Sequence, residues 1–184
     1  MTVGLARLIG KPGQSNAPVG KKLNQETNAC AEAIHSLVRI DAATHRNRIH
    51  QCCIIEAFPS SFLGLMLSQP ASIRVGRGNR SDRFFEVLTM DGTLSRLLSH
   101  LLPGRRQAEG FKNVGNHDDR AALVCAMTAL CVAAGDYCMV GDPNGWIVLP
   151  PRAFIRDTVW SVLKANAGRG TDGCLFVAEP GKAA

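Results

Sequence analysis

The sequence predicts an α/β domain, and three observations carry that expectation. Hydrophobic residues make up 46% of the 184 positions and charged residues 20%, a globular balance with enough chain to bury a core. Short apolar, β-branched runs (QCCIIEAFP, YCMVGDPNGWIVLPP and CLFVA) alternate with stretches of helical period. No run approaches the roughly 20 apolar residues of a membrane span, so no membrane partner is expected.

In chain order, residues 1–22 are rich in Gly and Pro without a clear period and read as an arm or long loop. Residues 23–38 place Ala29, Ala33, Ile34 and Leu37 near helical spacing, with Asn24 or Thr27 as the cap. Gln51 to Pro59 suits a fully buried strand closed by Glu56 and a proline. Ser60 or Ser61 can cap the helix SFLGLMLS that follows. RVGRGNRSDR (74–83) is a basic, Gly-rich loop, and RFFEVL is ambiguous between strand and helix. A helix is expected from Thr93 to Leu102, stopped by Pro103-Gly104. Another is expected over 118–134, ending at Gly135; being apolar on all faces, it should be enclosed. Tyr137 to Pro151 reads as a hairpin turning at Asp142-Pro143-Asn144-Gly145, where Asn-Gly supplies positive φ. A helix over 152–164 and a strand over 174–178 complete a single domain.

The seven cysteines show no metal-ligand or CxxC spacing. Most lie in apolar runs, where a free thiol behaves as a small buried hydrophobe. Cys125 and Cys131, inside an apolar helix, are poor nucleophiles. The amino terminus breaks at Gly10 and Pro12 before a signal-peptide core could form, which points to the cytoplasm.

Net charge is +6, and the arginines bunch at Arg74, Arg77, Arg80 and Arg83, with smaller groups at 45–48 and 104–106. Such a cluster can neutralise nucleic-acid phosphates, or it can be a solvated basic face. A second group of residues, Asn116-His117-Asp118-Asp119, stands before the 118–134 helix. Acids there interact well with orphan amides and the helix dipole, and Asn116 with Asp119 mimics a capping box. They also make sense as half of a cation site. Glu56 at the carboxyl end of a strand and Asp118 or Asp119 at a helix start could together hold Mg²⁺ or Mn²⁺, with His117 orienting a water or touching phosphate.

IIEAFPSSFLG (Ile54 to Gly64) and HDDRAALVCAMTALCVAAGDYCMVGDPNGWIVLPP (His117 to Pro151) together resemble the bacterial domain-of-unknown-function 429 family, predicted nucleases of ribonuclease-H-like fold. In that family a strand ends in Glu, an aromatic or aliphatic residue and Pro; later His-Asp opens an Ala-rich helix leading to Gly-Asp, a turn and Gly-Trp-Ile-x-x-Pro. The resemblance spans residues 50–151. It implies that Glu56 and Asp118 or Asp119 are the matching acids. The family's earlier Gly-x-Asp strand and Ile-Asp-x-Pro segment have no counterpart, Ile40-Asp41-Ala42-Ala43 lacking the proline. The chain therefore resembles the carboxyl-terminal portion of such a protein, without its first strands.

The resulting expectation is a Mg²⁺- or Mn²⁺-dependent phosphodiesterase whose carboxylate cluster is incomplete, with Arg74, Arg77, Arg80 and Arg83 on backbone phosphates. Its alternative is a non-enzymatic nucleic-acid-binding or assembly module of the same fold. An exposed sheet edge and apolar face suggest a homodimer.

Overall fold

The structure, a computed structural model, describes residues 18–38, 49, 52–74, 79–142, 145–167 and 176–178. Its elements run α1 (Pro18–Leu37), β1 (Glu56–Ala57), α2 (Pro59–Met66), α3 (Arg80–Met90), α4 (Thr93–Leu101), α5 (His117–Ala133), β2 (Cys138–Asp142), β3 (Gly145–Leu149), α6 (Asp157–Ala167) and β4 (Phe176–Ala178). Short 3₁₀ turns cover Pro70–Ser72, Phe111–Asn113 and Arg152–Phe154. Helix dominates, and a small mixed sheet of order β1-β3-β2-β4 forms the middle layer. β1 is parallel to β3, and β2 is antiparallel to both β3 and β4.

The sheet divides the core because a strand sends successive side chains to opposite faces. Met139 and Val148, opposite one another in the β2–β3 register, join the core built by α2, α3, α4 and α5. Cys138, Val140, Ile147 and Leu149 face the other way, against Val159, Trp160 and Leu163 of α6. Helices therefore cover both faces of the central hairpin. This is why β2 and β3 read as continuous apolar runs instead of alternating ones.

The helix enclosed on all sides is α2, in which Ser61 through Met66 are all buried. Leu65 joins the α6 side of the core, while Phe62, Leu63 and Met66 join the other. Enclosure was expected of α5, which buries one stripe only: Val124, Met127, Thr128 and Cys131. Ala122, Cys125, Ala126, Ala129 and Ala133 are exposed. Small apolar side chains lose little by facing water, so an Ala-rich helix need not be surrounded.

Other expectations shift for local reasons. α1 begins at Pro18, within the predicted arm, because proline is well suited to the first helical turn; Asn24 and Thr27 thus lie inside the helix. The predicted strand over 51–59 contracts to Glu56–Ala57, and Cys52, Ile54 and Glu56 are exposed. Glu56 therefore opens β1 instead of closing a buried strand. Pro59 starts α2 with Phe58 at the cap position and no side-chain cap bond, so neither Ser60 nor Ser61 caps it. The ambiguous RFFEVL segment belongs to α3, which also takes in Arg80 to Arg83 from the predicted basic loop.

α4 matches its expectation within a residue, and Gly104 after it adopts a φ of +77°. The 152–164 helix is a 3₁₀ turn followed by α6 from Asp157, and the last strand is seen over 176–178. Arg77, Pro143, Asn144 and Cys174 lie outside the described residues.

Candidate functional site

The opening turn of α5 is positioned by Asn116. Its backbone is extended (φ −95°, ψ 160°), and its Oδ1 accepts the Asp119 backbone N–H at 2.8 Å. Its Nδ2 donates to Asp119 Oδ2. Asp119 is thus part of the cap, a reciprocal arrangement of the kind the Asn-x-x-Asp spacing predicted. Asp118 is exposed in the same turn, where the amide dipoles favour its charge.

His117 and Arg120, one turn apart, face α3. Nδ1 of His117 lies 3.0 Å from Oδ1 of Asp82, and the Arg120 guanidinium lies 3.2 Å from Glu86 Oε1 and 3.8 Å from Asp82 Oδ1. Arg120 also donates through Nε to the Val114 carbonyl at 2.9 Å and sits over the Phe85 ring, 5.5 Å from its centroid. Glu86 takes a second cation, Arg83, at 2.6 Å. Asp82 and Glu86 are four residues apart and so share a face of α3, beside the buried Phe85 and Leu88 that seat the helix. The result is a chain of alternating charge, Arg83–Glu86–Arg120–Asp82–His117, along the α3–α5 seam. Arg120, with 17% of its side chain exposed, is its most buried member. Beneath it, Pro59, Leu63, Asp82, Arg120 and Val124 line a crevice about large enough for a water molecule.

An ionised carboxylate can only accept hydrogen bonds, so Nδ1 of His117 carries the proton toward Asp82. In the neutral imidazole, Nε2 then carries the lone pair, on a half-exposed ring. Chemically, this is a carboxylate-oriented imidazole.

The basic residues border this seam. Arg80 and Arg83 are exposed and one turn apart at the start of α3. Arg74 is exposed just before the stretch that precedes the helix.

The sequence pairs Glu56 with Asp118 or Asp119. Glu56 is exposed on β1, and β1 packs against α5. Among the described residues, however, no three or more His, Cys, Asp or Glu side chains gather into a group that could hold a metal ion. Asp119 is engaged by Asn116, and His117 pairs with Asp82. Asp82, Glu86 and Arg120 were missed in the sequence. Their signal was present as i,i+4 spacing on one helix and i,i+3 spacing on another, but nothing local says that the two faces meet.

The thiols divide by burial. Cys131 and Cys138 are buried, whereas Cys30, Cys52 and Cys125 are exposed, against the expectation that most would be buried. Burial, aided by the Asp136 charge, pushes the Cys131 thiol up to about 12. Desolvation also raises Cys125, although the residue as a whole is exposed. Desolvation, then the Cys52 thiolate, raises Cys53. A raised thiol pKa removes the nucleophilic thiolate, in line with the expectation for Cys125 and Cys131.

No family model, curated protein or solved structure matches the chain.

Proposed function

We propose that the chain binds the phosphate backbone of nucleic acid along the start of α3, with Arg80 and Arg83, flanked by Arg74 and Arg77, as the contacting cations. The observation that carries this reading is that Arg80 and Arg83 stand one turn apart on an exposed helix start, beside an acidic pair, Asp82 and Glu86, that Arg120 also faces from α5. Arg80, Arg83 and Arg120 against Asp82 and Glu86 leave this rim net positive, in keeping with the net charge of +6. The test is the salt dependence of binding to a fluorescently labelled DNA duplex. Replacing Arg80 and Arg83 with Ala should lower the magnitude of the log–log slope by about 1.8, from 0.9 per lost phosphate contact. An unchanged slope would remove these residues from the interface.

A second reading, metal-dependent phosphodiester hydrolysis on a ribonuclease-H-like fold, is supported by the packing of β1 on α5, which brings the Glu56 strand to the helix that Asp118 and Asp119 open. Glu56 with Asp118 or Asp119 would hold Mg²⁺ or Mn²⁺ through oxygen and leave several waters in place only after these acids draw together, since as they stand they form no metal-holding group among the described residues. Calorimetric titration with Mn²⁺ decides it: binding that Glu56→Gln and Asp118→Asn each weaken supports the site, and no binding removes it.

A cytoplasmic location belongs to the same proposal. No helix among the described residues is long and apolar enough to cross a membrane. A homodimer is the proposed assembly, supported by the exposure of Ile34, Leu37 and Val38 at the end of α1. A monomer mass by light scattering would refute it.

A further inference from the structure

We infer that the His117–Asp82 pair is a general-base dyad that cleaves RNA without a metal ion. The inference rests on the nucleic-acid reading above and names its substrate class. Three observations meet at one place. Asp82 lies 3.0 Å from Nδ1 of His117, and in the neutral tautomer this contact selects, the half-exposed ring offers Nε2 as a base. Arg120 braces the carboxylate from the other side, which fixes the imidazole's partner on α3. Arg80 and Arg83 are exposed on the first turn of the same helix as Asp82, and Arg83 joins the same ion-pair chain through Glu86. Another histidine–carboxylate pair among the described residues, His100 Nε2 with Asp136 Oδ2 at 2.6 Å, has instead the ring of Phe154 against its imidazole.

RNA is the substrate because a single base suffices for it. The ribose 2′-hydroxyl is an internal nucleophile already adjacent to the phosphorus, so no water has to be captured and activated. His117 Nε2 takes the 2′-hydroxyl proton, the 2′-oxygen–phosphorus bond forms, and the phosphorus–O5′ bond breaks. Solvent water protonates the departing 5′-oxygen. The products are a 2′,3′-cyclic phosphate and a 5′-hydroxyl, with nothing oxidised or reduced. Asp82 is a positioning residue: it sets the tautomer and ring orientation and does not touch the substrate.

The experiment incubates the full chain, in EDTA, with a labelled single-stranded RNA and with an all-deoxy strand of the same sequence, and measures binding of the all-deoxy strand in parallel. The expected result is RNA cleavage with cyclic-phosphate ends and intact DNA. His117→Gln should cleave about 10²–10⁴-fold more slowly with unchanged binding of the deoxy strand. Added imidazole should partly restore His117→Ala, which a purely structural role for the ring would not allow. Asp82→Asn should lower kcat with KM retained, and His100→Gln should cleave normally. Binding of the deoxy strand with no RNA cleavage in EDTA overturns the dyad and leaves the binding reading standing. Cleavage that appears only with Mn²⁺ overturns it in favour of the carboxylate site, and cleavage unchanged in His117→Gln overturns it outright. Failure to bind either strand overturns both readings.

Discussion

Replacing Arg120 with Ala is the most informative single perturbation of the seam, because its cost can be worked from contacts of different kinds. The guanidinium donates from Nε to the Val114 carbonyl at 2.9 Å, and a hydrogen bond from a charged donor contributes about 1.5–3 kcal/mol. Its contacts with Glu86 and Asp82 add less, since Arg83 and His117 remain to hold those acids. Both acids are also partly exposed, which caps the ion-pair contribution near 1 kcal/mol. Stacking over Phe85 contributes about 0.5–1 kcal/mol. The sum is about 3 kcal/mol, which for a chain of this size lowers Tm by roughly 6–12 °C.

Urea denaturation of the wild type, Arg120→Ala and Arg120→Lys measures it directly. Lys keeps the charge but cannot reach Val114, Glu86 and Asp82 with one planar fork, so it should recover about 1 kcal/mol. An Arg120→Ala protein within about 0.5 kcal/mol of wild type would refute the reasoning, as would a Lys variant indistinguishable from wild type. Either result would mean that α3 and α5 are joined by apolar packing alone.

Asn116→Ala should destabilise the protein by about 1 kcal/mol through loss of the α5 cap, read as a shift in the urea midpoint at constant m. The smaller loss of a few tenths expected for Asp118→Asn makes a contrasting control. Cys131 makes stability depend on alkaline pH. Its thiol is raised from 9.0 to about 12 in the folded state, so the unfolded chain releases this proton first as pH rises. The contribution is fully present below about pH 9 and is lost between about pH 9 and 12. The fall in stability over that window should be shallower in Cys131→Ala than in the wild type; parallel curves would refute the assignment.

The elements most legible in the sequence were those with a local cause. The β2–β3 hairpin follows from two apolar runs around Asn-Gly, α4 from apolar period and the Pro-Gly stop, and the α5 cap from Asn116 three residues before Asp119. Gly135, at φ +70°, follows the Ala134 cap of α5, close to where the helix was expected to end. Glu56 and the helix-start acids were read from residue type alone, and type does not say where a partner stands. The β1 error has the same root: an apolar run of this length suits a buried strand or an irregular segment packed on one side, and Cys53 and Ile55 pack on the core while Cys52 and Ile54 do not.

By itself, then, the sequence determined the mixed α/β class, the order of most of its helices and strands, the basic rim and the capped start of α5, because composition, period and capping act over a few residues. Only the tertiary structure decided that α2 is the enclosed helix, that α5 turns an alanine face to water, and that His117 meets Asp82 on α3. Those outcomes depend on which helix faces lie together across separations of 35 residues and more, as for His117 and Asp82. They are set by how Phe62, Phe85, Leu97 and Val148 fill one core, which no local pattern encodes.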